Sequence, residues 1–173
     1  MHSYGGIMGS EACHGLDRPT RRNSGRPGGV VRLIFCAAFL IPEGTSLFDT
    51  LQGRHPPWLT ISNDGLMVKP HRPRDVFYND LDEKAAEEAV LQLKHHSYRT
   101  FHSKVTYAAW RDIPVTYVLC ELDNAISLAA QQEMIDVSKV QAAVEHINAG
   151  HSPFLSKPDI VTKILTRSAG ECF

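Results

Sequence analysis

Ile113-Pro114-Val115-Thr116-Tyr117-Val118-Leu119-Cys120-Glu121-Leu122-Asp123 is a run of apolar and β-branched residues that ends on a carboxylate. A continuous apolar stretch of this length suits a strand covered on both faces, as in a parallel sheet. Pro114 stands near its start, where a missing backbone donor is tolerated. Asp123 falls just past the carboxyl end, the edge of a parallel sheet where functional groups gather. Taken alone, Asp123 has a plain structural reading as the N-cap of a following helix.

Two other segments repeat the pattern. Upstream, Val30-Val31-Arg32-Leu33-Ile34-Phe35-Cys36-Ala37-Ala38-Phe39 is bounded by Gly28-Gly29 and Pro42. Downstream, residues 140–147 read as a third strand, weakened by Gln141, Glu145 and His146. Residues 128–135 read as a helix, and residues 158–169 as another with Ile160, Ile164 and Leu165 on one side. Strands alternating with helices point to an α/β fold with parallel pairing. Between the first two strands the rhythm breaks. Pro56-Pro57 and Asn63-Asp64-Gly65 are turn formers, residues 59–68 suit a hairpin, and residues 82–93 form a helix capped by Asp82. The chain thus divides into residues 1–46 (a tight turn, a helix and a core strand), an inserted cap at 47–111, and a C-terminal core at 112–173, all in one structural domain. Residues 15–29, with Arg18, Arg21, Arg22 and Arg26, read as a solvated loop.

Composition narrows the function classes. The chain is 43% hydrophobic and 21% charged, with a formal net charge of −1. This balance suits a globular domain and offers no nucleic-acid surface and no polybasic membrane patch. Residues 30–42 are too few to span a bilayer, which takes about 20 apolar residues. No secretory signal opens the chain. Cys13, Cys36, Cys120 and Cys172 are scattered, with no zinc spacing. A reducing, cytoplasmic setting without a metal or other cofactor is the expectation.

Met1-His2-Ser3-Tyr4-Gly5-Gly6 holds a serine followed two residues later by glycine. Small neighbours let a strand-to-helix turn close and present the hydroxyl, although this short match alone is common by chance. His151 follows the third strand, and as one of nine histidines could equally be a surface loop residue. Ser3, Asp123 and His151 in that chain order, each at a strand end, are together a stronger signal, because they are the set that nucleophilic catalysis requires.

Gly150-His151-Ser152-Pro153-Phe154-Leu155-Ser156-Lys157-Pro158 resembles the histidine loop of the methylesterase-like α/β-hydrolases, the group that includes hydroxynitrile lyases. His2-Ser3-Tyr4-Gly5-Gly6 resembles their nucleophile elbow. Tyr117-Val118-Leu119-Cys120-Glu121-Leu122-Asp123, with Gln131-Gln132 and Met134-Ile135, resembles their acid-bearing strand and the helix after it. Phe77-Tyr78-Asn79-Asp80 is similar to bacterial and fungal members. The resemblance implies the C-terminal part of an α/β-hydrolase fold, about three parallel strands with flanking helices, plus the inserted cap. It implies a serine hydrolase for a small carboxylic ester or lactone, a setting in secondary metabolism, and a triad of Ser3, Asp123 and His151. The backbone N–H of Tyr4 would serve as an oxyanion donor. His2, Phe48, Phe77, Tyr78, Trp110 and Phe154 are candidate pocket residues. Hydroxynitrile lysis uses the same triad, whereas haloalkane and epoxide hydrolysis need aspartate where Ser3 stands.

Such folds place several strands ahead of the elbow, and Ser3 is the third residue. The expectation is a chain cut at the elbow, lacking the strand that presents the serine and the second oxyanion donor. An exposed sheet edge then invites a homodimer. The alternative function is a catalytically impaired or non-catalytic hydrolase-fold fragment that binds a ligand or partner.

Overall fold

The computed structural model describes residues 1–170; Cys172 lies outside them. Strand β1 (His2–Ser3) leads into helix α1 (Gly5–Ala12), then α2 (Arg18–Asn23) and strand β2 (Leu33–Ala38). There follow α3 (Leu47–Thr50), β3 (Leu59–Ile61), β4 (Met67–Pro70), α4 (Pro73–Phe77), α5 (Glu83–Leu91) and β5 (His96–Ser97). After 3-10 turns at Tyr98–His102 and Ala109–Arg111 come β6 (Val115–Cys120), α6 (Leu128–Ser138), β7 (Ala142–Ile147), α7 (Pro153–Ser156) and α8 (Pro158–Ser168).

β1, β2, β6 and β7 form one sheet in that order, all parallel. Every residue of β6 is buried, as its unbroken apolar run requires, because it is paired on both edges and covered on both faces. Tyr117 in β6 stacks on Phe35 in β2 with ring planes 2° apart. Its hydroxyl donates to the Ala38 carbonyl at 2.6 Å and accepts the Ala38 N–H at 3.2 Å. One buried phenol therefore satisfies both backbone groups at the end of β2, where regular pairing stops.

The strand presenting Ser3, expected to be missing, is there as the two-residue β1. His2 pairs with Cys36 and Ser3 with Ala38. The Met1 ammonium donates to Ile34 O at 2.6 Å, and Cys36 N–H donates to Met1 O at 2.9 Å. Helix α1 then packs on the end of β2 so closely that a Cβ at Gly6 would lie 2.3 Å from Phe39 O.

Residues between β2 and β6 build a second sheet, β3-β4-β5, antiparallel throughout. Asn63-Asp64-Gly65 makes its first turn: Gly65 has φ +70, and Asp64 Oδ1 accepts the Leu66 N–H. Val68 from this sheet packs with Leu47, Phe101, Ile41 and Ile7 in a cluster separate from the main-sheet core.

Two local expectations are corrected. The arginine-bearing loop contains α2, because Asp17 accepts the Thr20 N–H at 2.8 Å and a proline occupies the first turn, both helix-starting features. In α8 only Ile164 is buried, while Ile160 and Leu165 are each 45% exposed.

Gly6→Ala is expected to destabilise the fold by about 1–3 kcal/mol, since backbone rather than a flexible side chain blocks the added methyl. Gly5→Ala, with nothing within 4 Å of its Cβ position, should be neutral or gain up to about 1 kcal/mol of helix propensity. Thermal unfolding of the two variants checks this; equal melting points would mean that α1 is not seated on β2.

Candidate functional site

Parallel pairing brings the ends of β1, β6 and β7 to one edge of the sheet, and Ser3, Asp123 and His151 are found there. Ser3 sits at the last residue of β1 with φ +52, a left-handed backbone that non-glycine residues seldom adopt and that accompanies functional sites. The turn closes against the end of β2 because Gly6 has no side chain, and the helix begins at once, with Tyr4 at its N-cap.

Asp123 and His151 are brought together. His151 Nδ1 lies 2.8 Å from Asp123 Oδ2, with the residues 2% and 6% exposed. An ionised carboxylate only accepts, so Nδ1 carries a proton, and in the neutral ring Nε2 is then the nitrogen with the lone pair. The other oxygen, Oδ1, accepts the N–H groups of Ala125 at 2.7 Å and Ile126 at 3.0 Å. Gln131 in α6 closes the shell. It accepts the Cys120 N–H, donates to Cys120 O and Ile126 O, and reaches Asp123 Oδ2 at 3.4 Å. Fully buried, Gln131 makes the acid loop rigid by satisfying backbone groups that the end of β6 leaves open. Its role is signalled in sequence only as a polar residue on a helix stripe shared with Met134 and Ile135.

Ser3 is not hydrogen-bonded to His151 in this structure. It lines a cavity of about 830 Å³ together with Phe39, Leu47, Trp58, Phe77 and Met134. Of the six candidate pocket residues, Phe77 alone lines this cavity, with its ring centroid 5.3 Å from that of His151. The other five do not line this cavity. Trp110 is buried in the main core, covered by the packing around β2 and β6. Phe48 packs against His55 and His102 with its ring tilted to both. Tyr78 turns its edge to Phe77, outside the cavity wall. Phe154 is 43% exposed and sets its edge against His2.

His2 lies behind the site rather than in the cavity. Its Nε2 is 2.7 Å from the His151 carbonyl and so must be the donor, and the two imidazoles are 4.5 Å apart. Burial, and then the neighbouring His151, push its pKa down to about 4. A neutral His2 thus supports the histidine loop from below. Among the described residues, no group of three or more His, Cys, Asp or Glu is placed to hold a metal ion. No helix among them is long and apolar enough to cross a membrane.

A parallel sheet with serine, aspartate and histidine at the carboxyl ends of its strands is the arrangement of the α/β-hydrolase class. The model of the Alpha/beta hydrolase family matches residues 1–164, and the chain belongs to that family. It is 35% identical over 173 residues to the alpha/beta hydrolase nvfD of Aspergillus novofumigatus, covering 98% of this chain and 68% of that protein. A pyrethroid hydrolase from Sphingobium faniae superposes with a TM-score of 0.74 at 19% identity, over 98% of this chain and 68% of its own. A methylesterase from Arabidopsis does so with a TM-score of 0.73 at 18% identity, over 98% and 67%.

The lowered pKa of His2 sets a pH dependence. The unfolded chain takes up a proton at His2 near the ordinary value of 6.5, which the folded chain refuses until about 4. Stability is therefore fully present above about pH 6.5 and is lost as pH falls toward 4. His96, held below its ordinary value by burial, acts in the same direction. Urea midpoints across this range should fall, and His2→Gln, which keeps a donor for the His151 carbonyl, should make the decline shallower. An unchanged slope in that variant would refute the assignment.

Proposed function

We propose that the chain is a serine hydrolase for a carboxylic ester or lactone, working through an acyl-enzyme. One observation carries this reading: the buried 2.8 Å pair of Asp123 and His151 at the sheet edge where Ser3, on a left-handed backbone, faces a mainly apolar cavity. In the first step Ser3 Oγ attacks the carbonyl carbon while His151 Nε2 takes its proton. The Tyr4 N–H, at the start of α1, stabilises the oxyanion that forms. The tetrahedral species collapses, and His151 returns the proton to the departing alkoxide oxygen. Water, deprotonated by His151, then attacks the acyl carbon, the bond to Ser3 Oγ breaks as His151 returns the proton to that oxygen, and the acid leaves. Asp123 holds the imidazole tautomer and stabilises the imidazolium.

The cavity supports an apolar substrate. Phe39, Leu47, Trp58, Phe77, Phe101 and Met134 contribute to its wall, and a pocket of this volume accepts a whole small molecule. Relatives named as a methylesterase and a pyrethroid hydrolase support the ester class. A cytoplasmic setting belongs to the same reading, consistent with the free thiols of Cys13, Cys36 and Cys120.

A second reading, binding without turnover, draws on the absence of a hydrogen bond between Ser3 and His151. Such bonds are often loose without substrate and tighten in the reacting complex, which favours the first reading.

A fluorophosphonate probe separates the two. The hydrolase reading expects modification at Ser3, abolished by Ser3→Ala and His151→Ala. Asp123→Asn should lower kcat on a p-nitrophenyl ester by roughly 10⁴. A folded chain that stays unlabelled while still binding apolar ligands would sink the catalytic reading in favour of the second.

A further inference from the structure

The two loops that carry Asp123 and His151 are joined to each other by one backbone bond beyond the sheet, Leu122 N–H to Ala149 O at 3.0 Å. Both are also tied to residues 79 and 80, which follow α4 in the segment between β2 and β6. Asp80 Oδ2 accepts the Gly150 N–H at 2.7 Å. Asn79 Nδ2 donates to Leu122 O at 2.9 Å. A third tie runs from Asn124 Nδ2 to Asp75 O at 2.8 Å, so the acid loop is bonded to α4 itself and to the segment just after it. Residue 150 immediately precedes His151, and residues 122 and 124 flank Asp123.

The junction is tight. A Cβ at Gly150 would lie 2.3 Å from Asn79 Oδ1 and 2.7 Å from Asp80 Oδ1. Gly150 is not among the residues with positive φ, so its lack of a side chain answers to this close approach rather than to backbone conformation. Asp80 Oδ1 is buried with no hydrogen-bond partner. Leaving a buried oxygen unpaired costs about 1–3 kcal/mol, and unpaired groups of this kind are rare enough to need a reason.

We propose that Asn79 and Asp80 are positioning residues that clamp the acid and histidine loops, and that the clamp links the cavity wall to His151. This rests on the catalytic reading of Asp123 and His151. The link is short. Phe77, two residues before Asn79, lines the cavity and lies against the His151 ring, and Trp58 lies against Phe77 at 5.4 Å. A ligand that displaces either ring acts on the same few residues that hold Gly150. The work asked of Asp80 is acceptance of one N–H, not charge, which separates it from an acid acting on His151 through space.

The full chain is compared with Asp80→Ala, Asp80→Asn, Asn79→Ala and Gly150→Ala. Two readouts are used. One is the downfield proton resonance of the His151 Nδ1–H, assigned by its loss in His151→Ala. The other is the pH-dependent rate of fluorophosphonate labelling. Asp80→Ala should shift or broaden the resonance and slow labelling about 10- to 100-fold, the scale of a small misplacement of a catalytic group. Asp80→Asn should restore both to within about threefold, since the amide oxygen accepts the same N–H. Gly150→Ala, whose methyl would displace both Asn79 and Asp80, should slow labelling at least as much as Asp80→Ala. Asn79→Ala, which spares the Gly150 bond, is the milder variant if Asp80→Ala does not fold, and should slow labelling about tenfold. An unmoved resonance and labelling rate in Asp80→Ala or Asn79→Ala, with only the melting point lowered, would overturn the clamp. So would failure of Asp80→Asn to rescue. If the parent chain shows the resonance but takes no label, the hydrolase reading fails, and the resonance alone decides the clamp.

Discussion

Pairing of β6 on both edges is the constraint from which the rest of the site follows. Its residues are bonded to β2 on one side and β7 on the other, in parallel and in continuous register. Parallel strands deliver their carboxyl ends to one side, so the three loops that leave β1, β6 and β7 cannot avoid meeting there. Side-chain chemistry is then a matter of which residues occupy those loops. Because β6 is sealed on both faces, the loop at its end starts from a fixed point, and Gln131 extends that rigidity by bonding both Cys120 and Ile126.

The start of the chain shows how few residues a strand needs when its neighbour is already ordered. His2 and Ser3 pair with β2 only because β2 is held by β6, and Tyr117 secures the end of β2 through Ala38. Burial pushes the Tyr117 phenol well above its ordinary pKa, so it stays protonated and keeps its donor. The left-handed turn at Ser3 is a local cost carried by that shared scaffold.

Much of this was legible in the sequence, for physical reasons that differ by element. The strands at β2 and β6 were readable because a strand sealed on both faces must be apolar at every position. Helix α5 was readable from its cap, Asp82, which accepts the Ala85 N–H. Asp123 and His151 were readable because strand ends in a parallel sheet are few and both residues sit at one. By contrast β1 has no pattern of its own, since two residues cannot show a period. Helix α2 was hidden by its arginines, which face solvent and carry no apolar stripe. Trp110 looked like a pocket residue because aromatic side chains serve cavities and cores alike, and only packing around β2 and β6 decides between them. His2 and Asp80 act through backbone groups of distant loops, and no spacing rule along the chain encodes such contacts.

The segment between β2 and β6 supplies much of the cavity wall while contributing no strand to the parallel sheet. It can therefore change at many positions without disturbing the strands that assemble the site. Trp58, Leu59 and Lys69 line the cavity from the second sheet and the loop leading into it, where a new side chain alters the space offered to a ligand and little else. The freedom is uneven. It stops at Asn79 and Asp80, where no spare volume separates the segment from Gly150. Across a lineage, variation should concentrate in the wall and halt at that seam, so that ligand range drifts while the geometry beneath it stays in place.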